Sequence, residues 1–175
     1  MGTERALILL SMNLKANPPS LEISFAISNL HPRLKFSEET VARFFESIFP
    51  LYPNGPKGDL SLVFMERDVH NKLHGEFLND YRPTDVITFP PDSEEGMAGE
   101  ICVSVDQAME ESISRQISFV RELSLYLVHG WLHLVGFDDI EKVERQQMRI
   151  EEERSLTHVE NLDFWPDFVL APNPS

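Results

Sequence analysis

Residues 117–139 read ISFVRELSLYLVHGWLHLVGFDD. From about Ile117 to Leu134 the stretch is apolar on nearly every side, which marks a helix buried inside a domain rather than one lying on its surface. Gly136 stands where such a helix stops. Two histidines interrupt the apolar surface, His129 and His133. Positions four apart share a helical face, with Cβ atoms about 5–6 Å from each other.

Two imidazoles so placed can grip one ion, but two ligands are too few. A catalytic zinc takes three protein ligands and keeps a further position open. The third must come from where the chain turns back past Gly136, and Asp138 and Asp139 follow at once. The competing reading makes both histidines polar tips on a core helix. Helical register, the apolar setting, and the glycine and carboxylates that follow favour the metal. Gly130 occupies the place where H-E-x-x-H hydrolases carry their glutamate base, which argues against ordinary peptide hydrolysis.

Outward from this helix the chain alternates strand and helix signals. Strands are expected over 21–28 (LEISFAIS), 60–65 (LSLVFM), 84–91 (TDVITFPP) and 100–105 (EICVSV). Helices are expected over 36–49, where Ser37 can cap; over 68–79, with Asp68 at the start and Gly75 a weak point; over 107–115, capped by Asp106; and over 140–156, rich in i,i+4 charge pairs. PNGPKGD (53–59) is a turn cluster and DSEEGMAG (92–99) a polar loop. The fold class that follows is α+β: one domain with a small mixed sheet and the apolar helix packed on it.

Bulk properties bound the rest. A chain of 175 residues suits one core. A single cysteine, Cys102, excludes an intrachain disulfide and any thiolate cluster, and a buried place in its strand is the expectation for it. The net charge of −14 repels phosphate backbones at long range, so nucleic acid would have to meet the 15 Lys and Arg gathered together, or be delivered by partners. Runs such as Glu151-Glu152-Glu153 read as solvated faces. No stretch is long enough for a membrane span. The apolar run Ala6–Met12 after Arg5 is minimal for a signal peptide and lacks a clean cleavage site; a frayed extension over 1–19 is the expectation.

HGWLHLVGFDD resembles the H-G-x-L-H-L-x-G-[YF]-D-H signature of the YbeY family, metal-dependent endoribonucleases of bacterial ribosomal RNA maturation. PTDVITFP (83–90) resembles that family's P-T-D-V-L-S-F-P strand, and GEICVS (99–104) its G-D-I strand. Glu144, Met148 and Glu152 fall where its last helix carries Glu, Met and Glu. The resemblance covers residues 20–157, leaving 158–175 as a tail, partly disordered.

It implies a single α+β domain with a mixed sheet of about four strands. It implies one divalent metal, zinc first, on His129, His133 and Asp139, which are also the catalytic positions. The family's third ligand is histidine, so Asp139 is a departure, though aspartate is a competent zinc ligand. The family's arginine aligns with Leu78, and Arg82 is the candidate to stand in. Asp138, Asp85 and Thr84 are candidates for orienting ligands or substrate, with turn capping as their alternative. Trp131 and Phe137 could offer stacking surfaces, with core packing the alternative.

The implied activity is metal-activated, single-strand-specific cleavage at the 3′ end of small-subunit ribosomal RNA, and ribosome quality control. The implied setting is the cytoplasm. The implied partners are the small ribosomal subunit, its proteins and assembly GTPases, with no membrane. Two rivals stand beside it: a non-catalytic ribosome-assembly factor with a structural metal, and another metal-dependent hydrolase.

Overall fold

Two strands carry the most apolar residues and take the centre of the sheet. β3 (Gly58–Met65) buries Leu60, Leu62 and Phe64 completely, and β5 (Met97–Ser104) buries Ala98, Ile101, Cys102 and Val103. A parallel pair covered on both faces reads as such a near-continuous apolar run. β1 (Ile23–Asn29) lies parallel to the outer side of β3 and alternates half-buried with exposed residues, as an edge strand does. β4 (Val86–Phe89) pairs antiparallel with β5, giving the mixed order β1-β3-β5-β4. This computed structural model describes residues 23–172; the expected N-terminal extension, the run Ala6–Met12 and residues 173–175 lie outside them.

Five helices cover the sheet: α1 (Glu38–Ile48), α2 (Arg67–Leu78), α3 (Val105–Arg115), α4 (Phe119–Val135) and α5 (Lys142–Leu162). α4 is the buried one, with Leu123, Leu127, Val128 and Leu132 fully enclosed and Trp131 nearly so. It can lie hard against β4 and β5 because Gly130 has no side chain. A Cβ there would stand 2.6 Å from Ile101 Cγ2 and 3.2 Å from Val86 Cγ2.

The expected elements are all present, with shifted ends. α3 begins at Val105, and its cap is Ser104, whose hydroxyl accepts from Gln107 N–H; Asp106 does not cap it. Once the helix starts that early, Asp106 lies inside its first turn. Its carboxylate turns outward, taking the Arg67 N–H at the start of α2 (2.9 Å) and facing His31 Nε2 (3.2 Å). α2 runs straight through Gly75, and the Tyr81 ring packs into the space a Cβ there would need.

α5 continues to Leu162 rather than ending at 156, since Val159 is still buried on its inner stripe. The chain beyond it is also packed. Phe168 lies edge-on to Phe36 (5.5 Å between ring centroids) and against Phe64, and β6 (Val169–Leu170) pairs antiparallel with β2 (Leu34–Lys35). Among the described residues no helix is long and apolar enough to cross a membrane.

Candidate metal centre

The last turns of α4 bring His129 and His133 to the same side, with their Nε2 atoms 2.9 Å apart. Gly136 then ends the helix at φ +110°, a left-handed conformation that residues bearing a Cβ rarely adopt. Its N–H returns to the carbonyls of His133 and Leu132, and Phe137 N–H also reaches Leu132 O (2.9 Å). This reversal carries Asp139 back to the histidines. Its carboxylate oxygens stand 3.7 Å from His129 Nε2 and 4.0 Å from His133 Nε2. One ligand atom from each of the three lies within 4.8 Å of the others.

The far side of each ring fixes which nitrogen faces the cluster. His133 Nδ1 lies 3.1 Å from the Phe137 carbonyl, which can only accept, so Nδ1 carries the proton. His129 Nδ1 lies 2.6 Å from Glu152 Oε1, on α5. In the neutral rings both Nε2 atoms therefore present lone pairs to each other and to a carboxylate. Three electron-pair donors converging on one point repel unless a cation sits among them. The donor set thus fits a divalent metal; two nitrogens and one oxygen match zinc's usual ligand chemistry.

The charge balance agrees. Burial by itself would lower the pKa of His129. The Glu152 hydrogen bond and the charges of Asp85, Glu152 and Asp139 together outweigh burial and hold the imidazole above its ordinary value. A positive charge is favoured here, whether a proton or a metal ion supplies it.

The turn is tied down from several directions. Asp138 Oδ1 accepts from Asp139 N–H (2.7 Å), so this aspartate caps the turn and stays outside the ligand group. Arg145 Nη1, from α5, donates to the carbonyls of Asp139 and Ile140. The Phe137 ring is half-buried and lies edge-on to Tyr52, 6.1 Å away.

The three candidate ligands form one wall of a cleft of about 470 Å³. The opposite wall is β4 with the residues beside it, Thr84 to Pro90, and Phe77 from α2. Asp85 is held at the entry of β4: its Oδ1 accepts from Val86 N–H (2.9 Å) and Thr84 Oγ1–H (3.1 Å), and its carbonyl accepts from Ser104 N–H.

Arg82 is not on the lining. Its guanidinium is exposed and locked onto both oxygens of Asp80, at 2.6–3.1 Å, which holds the Asp80 carboxyl well below the usual carboxylate range. Cys102 lies buried in β5, where burial first and Glu100 second push the thiol up to about 12. Trp131 packs against Phe49 in the core, 1% exposed, and offers no stacking surface.

Two features of the site escape a reading by local spacing. Glu152 belongs to an acidic run, yet it shares a helical stripe with Met148, Leu156 and Val159, all buried. An acid on an apolar stripe is the signal that finds it. The aromatic wall of Phe77 and Phe89 comes from two elements and carries no local signature.

Comparison with known proteins agrees with this picture. The family model described as endoribonuclease YbeY matches residues 26–160. Among similar curated proteins, the endoribonuclease YbeY of Protochlamydia amoebophila is 37% identical over 111 residues, 61% of this chain and 74% of its own. That of Salinibacter ruber is 31% identical over 151 residues, covering 81% and 96%. A solution structure of a Thermotoga maritima protein shares the fold, with a TM-score of 0.57 over 79% of this chain and 91% of its own, at 23% identity. With the matched model spanning sheet, buried helix and histidine cluster alike, the chain belongs to the YbeY family.

Proposed function

We propose that this protein is a metal-dependent endoribonuclease that cleaves single-stranded RNA during ribosomal RNA maturation, at the 3′ end of the small-subunit RNA, and in ribosome quality control. Its working site is the cluster of His129, His133 and Asp139, and zinc is the divalent ion its donors suit. The observation that carries the reading is the convergence of three ligand atoms on an open cleft, in a chain whose relatives are named endoribonucleases. The cytoplasm is the proposed setting. The small ribosomal subunit, its proteins and assembly GTPases are the proposed partners, which would bring substrate to a chain of net charge −14.

A bound divalent ion would supply Lewis acidity toward the scissile phosphodiester. The chain's own residues prepare for it. Glu152 keeps the His129 proton on Nδ1, and the Phe137 carbonyl does the same for His133, so both Nε2 lone pairs face the cleft. Asp139 adds a negative charge where the family pattern carries a neutral imidazole, which lowers the acidity of the site. Asp85 sets a fixed carboxylate in the facing wall, where it can accept a hydrogen bond from a ribose hydroxyl.

Two readings compete. A ribosome-assembly factor with a structural metal is favoured by the absence of Lys and Arg from the cleft lining; a structural site, however, takes four protein ligands, and among the described residues this group has three. A peptide hydrolase would need a base other than the usual glutamate, since Gly130 stands in that place and Ile101 leaves no room for a side chain there; Asp85 is the carboxylate of the lining that could serve that reading.

The test is metal content and cleavage of single-stranded RNA, measured on wild type and Asp139→Ala purified without chelator. About one ion per chain, lost with cleavage in the variant, supports the proposal. A fully loaded wild type that cuts no RNA would transfer the case to the assembly factor. Asp139→His should keep its metal and move the acid limb of the pH–rate profile to lower pH; an unchanged profile removes the role given to the carboxylate.

A further inference from the structure

We propose that Phe77, seated on Phe89 at the mouth of the cleft, is the platform on which an unpaired base of the RNA stacks beside the metal centre. The identity of the ligand rests on the nuclease reading above; the existence of an aromatic subsite rests on the observations that follow.

Phe77 lies in the last turn of α2 and is 62% exposed, although it lines the same cleft as the three candidate ligands. A ring so open contributes little to the core. It is nevertheless held: Phe89 of β4, itself half-buried, meets it edge-on at 80°, with 5.0 Å between centroids. Edge-to-face pairing of this kind fixes a ring's orientation.

Charge narrows what the ring can receive. The lining contains no Lys or Arg, and its acidic side chains are Asp85 and Asp139. The nearby guanidinium of Arg82 is already matched by Asp80. A nucleic-acid strand entering here finds no side chain to neutralise its phosphates away from the metal position. Its remaining affinity must come from uncharged contacts, and base stacking on an aromatic ring is the strong one available to a nucleotide. Only an unpaired base can offer its face. Such a contact would favour single strands and tolerate varied sequence. Tyr81, equally exposed at 66% but outside the lining, is the natural control.

The experiment uses the full chain loaded with zinc and a single-stranded oligoribonucleotide carrying 2-aminopurine, with phosphorothioate linkages to slow cleavage. A strand of equal length with abasic sites is the comparison. The expectation is quenching of 2-aminopurine on binding, and binding weaker by roughly 5- to 100-fold in Phe77→Ala. Phe77→Trp should restore it and Tyr81→Ala leave it unchanged, with metal content the same in all four proteins. The abasic strand should bind wild type as weakly as the base-bearing strand binds Phe77→Ala.

Equal binding of the two strands by wild type, or unchanged binding by Phe77→Ala, overturns the platform. Cleavage, assayed separately on unmodified RNA, divides the two claims. A base preference without cleavage leaves the platform and removes the nuclease. Cleavage by Phe77→Ala at unchanged KM removes the platform and leaves the nuclease.

Discussion

The two walls of the cleft are built on different principles. On the α4 side each ligand-bearing residue has an assigned neighbour: Glu152 for His129, the Phe137 carbonyl for His133, Asp138 and Arg145 for the backbone that bears Asp139. The facing wall has one carboxylate, Asp85, and two threonines, Thr84 and Thr88, among apolar and aromatic residues. The first wall is organised to hold charge at a point, and the second to offer surface. Under the proposed function the first would grip a metal in one geometry and the second would receive the RNA strand. The contrast between the walls follows that division of labour.

Removal of a ligand should have the largest effect. His129→Ala should lose its metal on elemental analysis and fall to background activity; a full complement of ion in that variant would mean that the α4 wall is not the gripping one. Next comes the support behind the ligand. Glu152→Gln leaves the three candidate ligands in place but removes the carboxylate charge that faces Nδ1, and competition with a chelating dye should find metal affinity lower by roughly 10–100-fold. An unchanged affinity would make Glu152 a bystander and dissolve the contrast.

Gly130→Ala attacks the seam between the walls. Its new methyl would crowd Ile101, at a cost of about 1–3 kcal/mol. Thermal denaturation should show a fall of roughly 2–12 °C in Tm. The smallest effect is expected from Arg82→Ala, within about twofold of wild-type activity, because an exposed ion pair is worth little and this one lies off the lining. A collapse of activity there would put a working cation on the wall described as lacking one.

How much of this could be read before folding depended on the range of the interaction. The i,i+4 pair of His129 and His133, the stop at Gly136 and the arrival of Asp139 are all local, and the sequence displays them within a dozen residues. The four strands and five helices were legible for the same reason, since each carries its own periodicity. Glu152 was marked only by the family resemblance and without a role: by spacing it lies in an acidic run, and only the crossing of α5 over α4 turns it toward His129. The pairing of Phe77 with Phe89, which belong to different elements, was not legible at all.

Asp106 shows the same limit at smaller scale. By position it is a good cap for α3, but Ser104 takes that role and Asp106 serves α2 instead. Arg82 matched an expectation by proximity in the chain, and Asp80, two residues away, took its charge. Gly130 told the reader only what was missing. The structure adds why: at that point the helix and the sheet touch, and a glutamate has no space.

The pairing of β6 with β2, and of Phe168 with Phe36 and Phe64, has a consequence in time. A polypeptide is made from its N-terminus, so β1, β2 and α1 emerge long before Phe168 exists. Until that residue has left the exit tunnel, the flank of β3 that it covers stays open to water. The candidate ligands on α4 and its following turn are synthesised earlier than the piece that closes the core around their scaffold. Completion of the site is therefore a late event in the birth of each copy, and a nascent chain arrested before residue 168 would carry its histidines on an unfinished domain.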